Sequence, residues 1–272
     1  MLDLEKNLYA EDEQPLDRIV FDGGYARVFR TIGCIGDSLS SGEHESRDEN
    51  GNYGYHDFYD YSWGQYMARN AGIKVYNFSR GGMSAKWFME SFADECGVWT
   101  AEKRCQAYIL ALGVNDMYTK QVELGSVEDI DLENPQNNKP TFAGYYAQII
   151  QRLKVLQPDA KFFLVTLPNG IENLSGDEHA ELLKNMAKMF SNTYVINLRK
   201  YSPKYDGEFK KKFFVGGHMN AAGYILSAQM ITSYIDYIVR HNLEDFSQVG
   251  FIGTPYKYLT EINKKEDKEE NN

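Results

Sequence analysis

Five short, nearly continuous apolar runs punctuate the chain, at residues 31–36, 73–78, 105–112, 161–167 and 193–198, with helical spacing in the stretches between them. A run of that length and character reads as a strand buried on both faces. Strands alternating with helices at this spacing require a parallel sheet with helices on both sides, joined by crossovers. The expected helices cover Tyr59 to Ala71, about Ala85 to Cys96, Phe142 to Leu156, Glu178 to Phe190 and Ala221 to Val239. Gly72 is placed to cap the first, and Pro158 stops the third.

The remaining segments read as follows. Residues 1–18 are polar and acidic, an arm expected on the surface. Ile19 to Phe29, around Asp22-Gly23-Gly24, reads as a short hairpin or edge element. Residues 44–58, rich in Gly, Asn, Asp and Tyr, read as a long loop walling the site, and the acidic stretch 117–140 as a second loop and candidate lid. The aromatic segment 246–258 receives no role, and the charged end is expected to be disordered. One domain over residues 1–260 with a tail at 261–272 accommodates all of this.

The formal net charge of −10 sets no basic block against an acidic surface, which excludes nucleic acid and anionic membranes as natural partners. No run approaches the roughly 18 apolar residues of a membrane span. Cys34, Cys96 and Cys105 form an odd set without metal-ligand spacing, so no metal is expected. A reducing, cytoplasmic setting is the simplest expectation. Tyrosine is abundant, at 20 copies, and its flat ring with a polar tip suits a cleft that takes sugar-like faces.

The chemistry concentrates where the strands end, because open α/β sheets place reacting groups past the carboxyl ends of their strands. Ser38 follows the first strand in Gly36-Asp37-Ser38-Leu39-Ser40. Alone, it reads equally as a helix cap. Ester hydrolysis by serine needs a base within reach and donors aimed at the developing oxyanion. Gly82 follows the second strand, where a missing side chain lets a backbone N–H approach closely. Asn115 follows the third and brings a neutral amide donor. His218, in a glycine-flexed turn before the last helix, is the candidate base. His44 and His56 read as surface or packing histidines.

Gly36-Asp37-Ser38-Leu39-Ser40, Asn77 through Gly82, Gly113-x-Asn115-Asp116 and His218-x-Asn220-x-x-Gly223-Tyr224 together resemble, in order, the four blocks of the SGNH or GDSL-type hydrolases. The resemblance spans residues 31–224. It implies a flavodoxin-like three-layer α/β sandwich on a five-stranded parallel sheet, and carboxylic ester hydrolysis without cofactor or metal. It assigns Ser38 as nucleophile and first oxyanion donor, Gly82 and Asn115 as the other donors, and His218 as base. The family's usual Asp, three residues before the histidine, is replaced here by Val215. The expectation is therefore a Ser38–His218 dyad whose third member is a main-chain oxygen or absent, with Asp206 and Glu208 as the nearest upstream carboxylates. The expected substrate is a small or carbohydrate-borne acyl ester such as an acetylated sugar. Longer-chain activity of the lysophospholipase or thioesterase kind, and a non-catalytic binding protein of the same fold, are the alternatives.

Overall fold

The computed structural model describes residues 7–119, 122–170 and 175–257. The first strand, β1, runs Thr31–Gly36 and leads into a four-residue helix, α1, at Ser38–Ser41. A hairpin follows, β2 at Glu43–Arg47 and β3 at Tyr53–Asp57, then helix α2 at Trp63–Ala71 and strand β4 at Lys74–Ser79. Ala85–Glu95 forms one interrupted helix: α3 (Ala85–Trp87), a π turn (Phe88–Phe92) and α4 (Ala93–Glu95). Next come β5 (Ala107–Ala111), α5 (Val114–Thr119), α6 (Phe142–Leu156), β6 (Lys161–Val165), α7 (Gly176–Met189), β7 (Thr193–Ile196) and α8 (Leu198–Tyr201). The chain closes with α9 (Gly207–Phe213), the short strands β8 (Phe214–Val215) and β9 (His218–Met219), α10 (Ala221–Arg240) and α11 (Leu243–Phe246).

The central sheet has the order β4-β1-β5-β6-β7, and every pairing is parallel. Alternation along each strand divides the core in two. Ile32, Cys34, Ile109 and Phe163 meet α2 and α10 on one face, while Ile35, Tyr108, Leu110 and Phe162 meet α3, α6 and α7 on the other. This is the three-layer α/β sandwich that the alternation implied. The strand order reverses between β1 and β5, so the turns carrying Ser38 and Asn115 flank the crevice where such sheets bind ligands.

Several expectations change. Residues 44–58 are not a loop: Glu43–Arg47 and Tyr53–Asp57 pair antiparallel, because Asn50-Gly51 closes a tight turn in which Asp48 accepts from the N–H groups of Asn50 and Asn52. Ile19 to Phe29 contains a 3-10 turn at Gly24–Val28 rather than a hairpin, since Asp236 of α10 accepts from Tyr25 N and draws the segment onto that helix. The stretch after α5 is pinned to α6: Asn138 donates to Gln151 Oε1 and Gly144 O, and Gln151 donates to Asp131 O. The N-terminal arm is tied down by Arg240, which is almost wholly buried and pairs with both Glu13 and Asp236. Of the aromatic segment 246–258, Phe246, Val249 and Ile252 join the core, with Phe246 stacked among Phe163 and Tyr194 and the Gln106 amide donating to Val249 O, while Phe251 and Tyr256 are exposed. The charged end lies outside the described residues. Among those residues, no helix is long and apolar enough to cross a membrane.

Candidate active site

Asp37, not Ser38, caps α1. Its Oδ1 accepts from Leu39 N at 3.0 Å, and Ser38 occupies the first helical position just past β1. The Ser38 hydroxyl makes no hydrogen bond to the fold among the described residues, so it is held at the sheet edge by backbone alone. Burial pushes the Asp37 carboxyl up to about 7, helped by the nearby Asp116 and opposed by the Leu39 N–H. Its Oδ2 has no hydrogen-bond partner among the described residues.

The turn after α1 is what brings the acidic side chains in. Gly42 adopts φ 82°, and a side chain there would strike Phe58 O at 2.4 Å, so the chain can reverse into β2 only with glycine at this position. Tyr224 of α10 locks the junction: its hydroxyl donates to Glu43 O at 2.6 Å and lies 3.3 Å from Ser38 O. The tyrosine of the fourth motif thus ties the helix behind His218 to the segment behind Ser38, and Asn220 of the same motif caps α10 by accepting from Gly223 N.

His218 sits on β9, paired across the short ladder with Val215. Its Nδ1 lies 2.7 Å from Glu45 Oε1, and the same oxygen accepts from Gly217 N at 2.7 Å. The dyad expectation is therefore corrected: a carboxylate, neither a main-chain oxygen nor nothing, faces Nδ1. It comes from β2 rather than from the position three residues upstream. Val215, at that upstream position, is 54% exposed and its side chain has no atom that could accept from the imidazole. Asp206 and Glu208 are elsewhere, the first capping α9 and the second paired with Lys211.

The other ring nitrogen, Nε2, lies 2.9 Å from Glu43 Oε1. Two ionised carboxylates can only accept, so this arrangement suits the doubly protonated ring. Burial lowers the His218 pKa, but the hydrogen bonds and charges of Glu43 and Glu45 outweigh it and raise it above the ordinary 6.5. Ser38 and His218 are brought to one edge, where α1 packs on β9, yet the hydroxyl and Nε2 are not bonded to each other here. Apo sites often tighten only around substrate.

Gly82 has φ 73° with open space on the side-chain face, as a backbone donor approached by substrate needs. Asn115 lies in the first turn of α5, where its Nδ2 donates to Met83 O at 3.0 Å and so fixes the amide plane beside the Gly82 turn. The next residue, Asp116, is buried and accepts from Ala85 N, joining the two turns. His44 and His56 are packing residues: His44 sits among Phe58, Tyr61 and Tyr224, and His56 stacks on Phe58 and bonds Ser46.

Glu43 and Glu45 were missed in the sequence although a signal existed. Two glutamates at i and i+2 before an Asn-Gly turn share one face of a hairpin strand.

The comparisons with known proteins bear on the fold and the family. A search of curated proteins returns no match. Among solved structures, the chain is similar to a family two carbohydrate esterase from Clostridium thermocellum in complex with cellohexaose, at 16% identity and TM-score 0.55, covering 79% of this chain and 65% of that one. A carbohydrate esterase family 2 enzyme with a carbohydrate-binding domain from Corynascus thermopiles (Myceliophthora fergusii) is similar at 15% identity and TM-score 0.54, covering 77% and 66%. The chain thus spans about two thirds of each esterase. A G-D-S-L family protein from Desulfitobacterium hafniense DCB-2 matches at 16% identity and TM-score 0.51, covering 75% of this chain and 99% of that one. At such identities the likeness is one of fold. The model of the GDSL-like lipase/acylhydrolase family matches residues 34–226, from within β1 through the start of α10. Spanning well over half the chain and every motif named above, that match makes the protein a member of the GDSL-like lipase/acylhydrolase family and a carboxylic ester hydrolase.

Proposed function

We propose that the chain removes a small acyl group from a carbohydrate ester. In this reading Ser38 Oγ attacks the carbonyl carbon as its proton passes to His218 Nε2. Glu45 holds the Nδ1–H tautomer and offsets the charge of the imidazolium. The N–H groups of Ser38 and Gly82 and the Asn115 amide stabilise the oxyanion. His218 then returns the proton to the departing alcohol, and water repeats the sequence to release the acid. The observation that carries the reading is the 2.7 Å contact between His218 Nδ1 and Glu45 at the edge where Ser38 stands. A base so oriented and charged has no use in a pure binding module.

The sugar half is supported by the hairpin. Tyr55 sets its ring edge-on to His218, with centroids 5.8 Å apart, and stacks with Tyr53 beyond it; both rings are more than half exposed. Exposed flat rings running outward from the base form a platform for pyranose faces. Two of the similar solved structures are carbohydrate esterases.

The test is turnover of p-nitrophenyl esters of increasing acyl length alongside an acetylated oligosaccharide. Acetate should be fastest, with acetate released from the sugar. A long-chain optimum would replace this reading with the lysophospholipase or thioesterase one.

The oxyanion role of Asn115 has its own expected result. Asn115→Ala should lower kcat by about 100- to 1,000-fold with KM little changed, because the donor acts on charge present only in the transition state. Steady-state kinetics on the acetate ester check it, and a rise in KM at preserved kcat would make Asn115 a substrate-binding residue instead.

A further inference from the structure

Glu43 is not needed by the reaction sequence above, yet it occupies the centre of the site. It is the first residue after Gly42, delivered by the turn that ends α1. Its Oε1 lies 2.9 Å from His218 Nε2. Its Oε2 borders the next turn of the site, since a Cβ placed on Gly81 would lie 1.9 Å from that oxygen. The carboxylate thus stands between the nitrogen that protonates the departing alcohol and the turn holding the candidate donor Gly82. Its side chain is 11% exposed, and among the described residues no lysine or arginine pairs with it or with Glu45.

We infer that Glu43 determines which alcohol the enzyme accepts, favouring esters whose alcohol portion is uncharged or cationic and brings an O–H or N–H donor beside the ester oxygen, and rejecting anionic ones. This deepens the esterase reading and rests on it. A group in hydrogen-bond contact with Nε2 borders the alcohol, because that nitrogen delivers the alcohol's proton. When Nε2 turns to Ser38, Glu43 loses its N–H partner in a nearly dry place, where an unpaired carboxylate is costly. A hydroxyl neighbouring the ester oxygen, as on a sugar ring, restores the bond. Glu43 itself neither gains nor loses a proton: the Ser38 proton goes to Nε2 as the Oγ–C bond forms, then to the alkoxide as the C–O bond breaks. An anionic alcohol in the same place meets Glu43 and Glu45, and a protonated His218 between them offsets only one of their two charges.

The experiment compares kcat/KM for three aryl acetates of similar shape, 3-carboxyphenyl, 3-carbamoylphenyl and 3-(trimethylammonio)phenyl acetate, each normalised to its hydroxide-catalysed rate. The wild-type protein should hydrolyse the anionic ester about 10- to 100-fold more slowly than the neutral one, with the cationic ester at or above the neutral. Glu43→Gln, of the same shape without the charge, should narrow the anionic-to-neutral gap by about tenfold. Equal wild-type rates for the anionic and neutral esters would overturn the inference without any variant. So would a folded Glu43→Gln protein that discriminates as before. No turnover of any of the three acetates is a different result: it would remove the small-acyl reading, and the inference with it.

Discussion

Ser38→Ala should abolish ester hydrolysis, lowering kcat by about a million-fold, while leaving the melting temperature nearly unchanged. Both halves follow from position. In the proposed mechanism the hydroxyl is the attacking group, so its loss removes the covalent route. The fold does not notice, because Asp37 and not Ser38 caps α1 and no hydrogen bond to the Ser38 hydroxyl is found among the described residues. Surface changes of this kind stay within about 0.5 kcal/mol. Turnover and thermal melting of the purified variant check the two halves together, and a fluorophosphonate should label Ser38 in the wild type and nothing in the variant. Undiminished turnover, or labelling elsewhere, would move the nucleophile.

Glu45→Gln should cost up to about 10,000-fold in kcat, the loss seen when a triad loses its acid and the wrong tautomer becomes available. Glu45 acts through His218, so its loss should also show in the pH profile. A base works only when deprotonated, and kcat/KM reports the pKa of the free enzyme. Since the two carboxylates raise His218 above 6.5, wild-type kcat/KM should climb with pH through a value above 6.5. Removing the Glu45 charge should shift that limb to lower pH. A variant that loses activity with its limb unmoved would give Glu45 a structural role only. A wild-type limb at or below 6.5 would mean the carboxylates do not face the imidazole in solution.

The parts of the fold that were legible are those where local pattern and burial coincide. The five core strands carry apolar residues on both faces, so each reads as a block without knowledge of its neighbours. Helices α6 and α10 show their spacing over four turns or more. The candidates Ser38, Gly82, Asn115 and His218 stood out because each lies in a short motif next to a strand end or helix start. The acid was not, because it lies 173 residues from the histidine it orients. Nothing near His218 points to it, and the usual upstream position holds an exposed valine. Glu45 became visible only when β2 and β3 paired, and Tyr and Gly around 53–55 masked that pairing as loop composition. The π turn at Phe88–Phe92 left no trace in the periodicity, since Ala85 to Cys96 reads as one helix either way.

The placement of Glu45 on a two-stranded hairpin has a consequence for how this enzyme fails. An isolated hairpin is only marginally stable in water, and this one forms a sheet of its own, separate from the five-stranded one. It can therefore open with a free energy smaller than that of the whole domain. Opening from the turn end carries Glu45 away from the imidazole, while Glu43, held by Tyr224, stays with Ser38, Gly82 and Asn115. Heat or mild denaturant should then silence the base before the core melts, so that the inactivation curve precedes the unfolding curve.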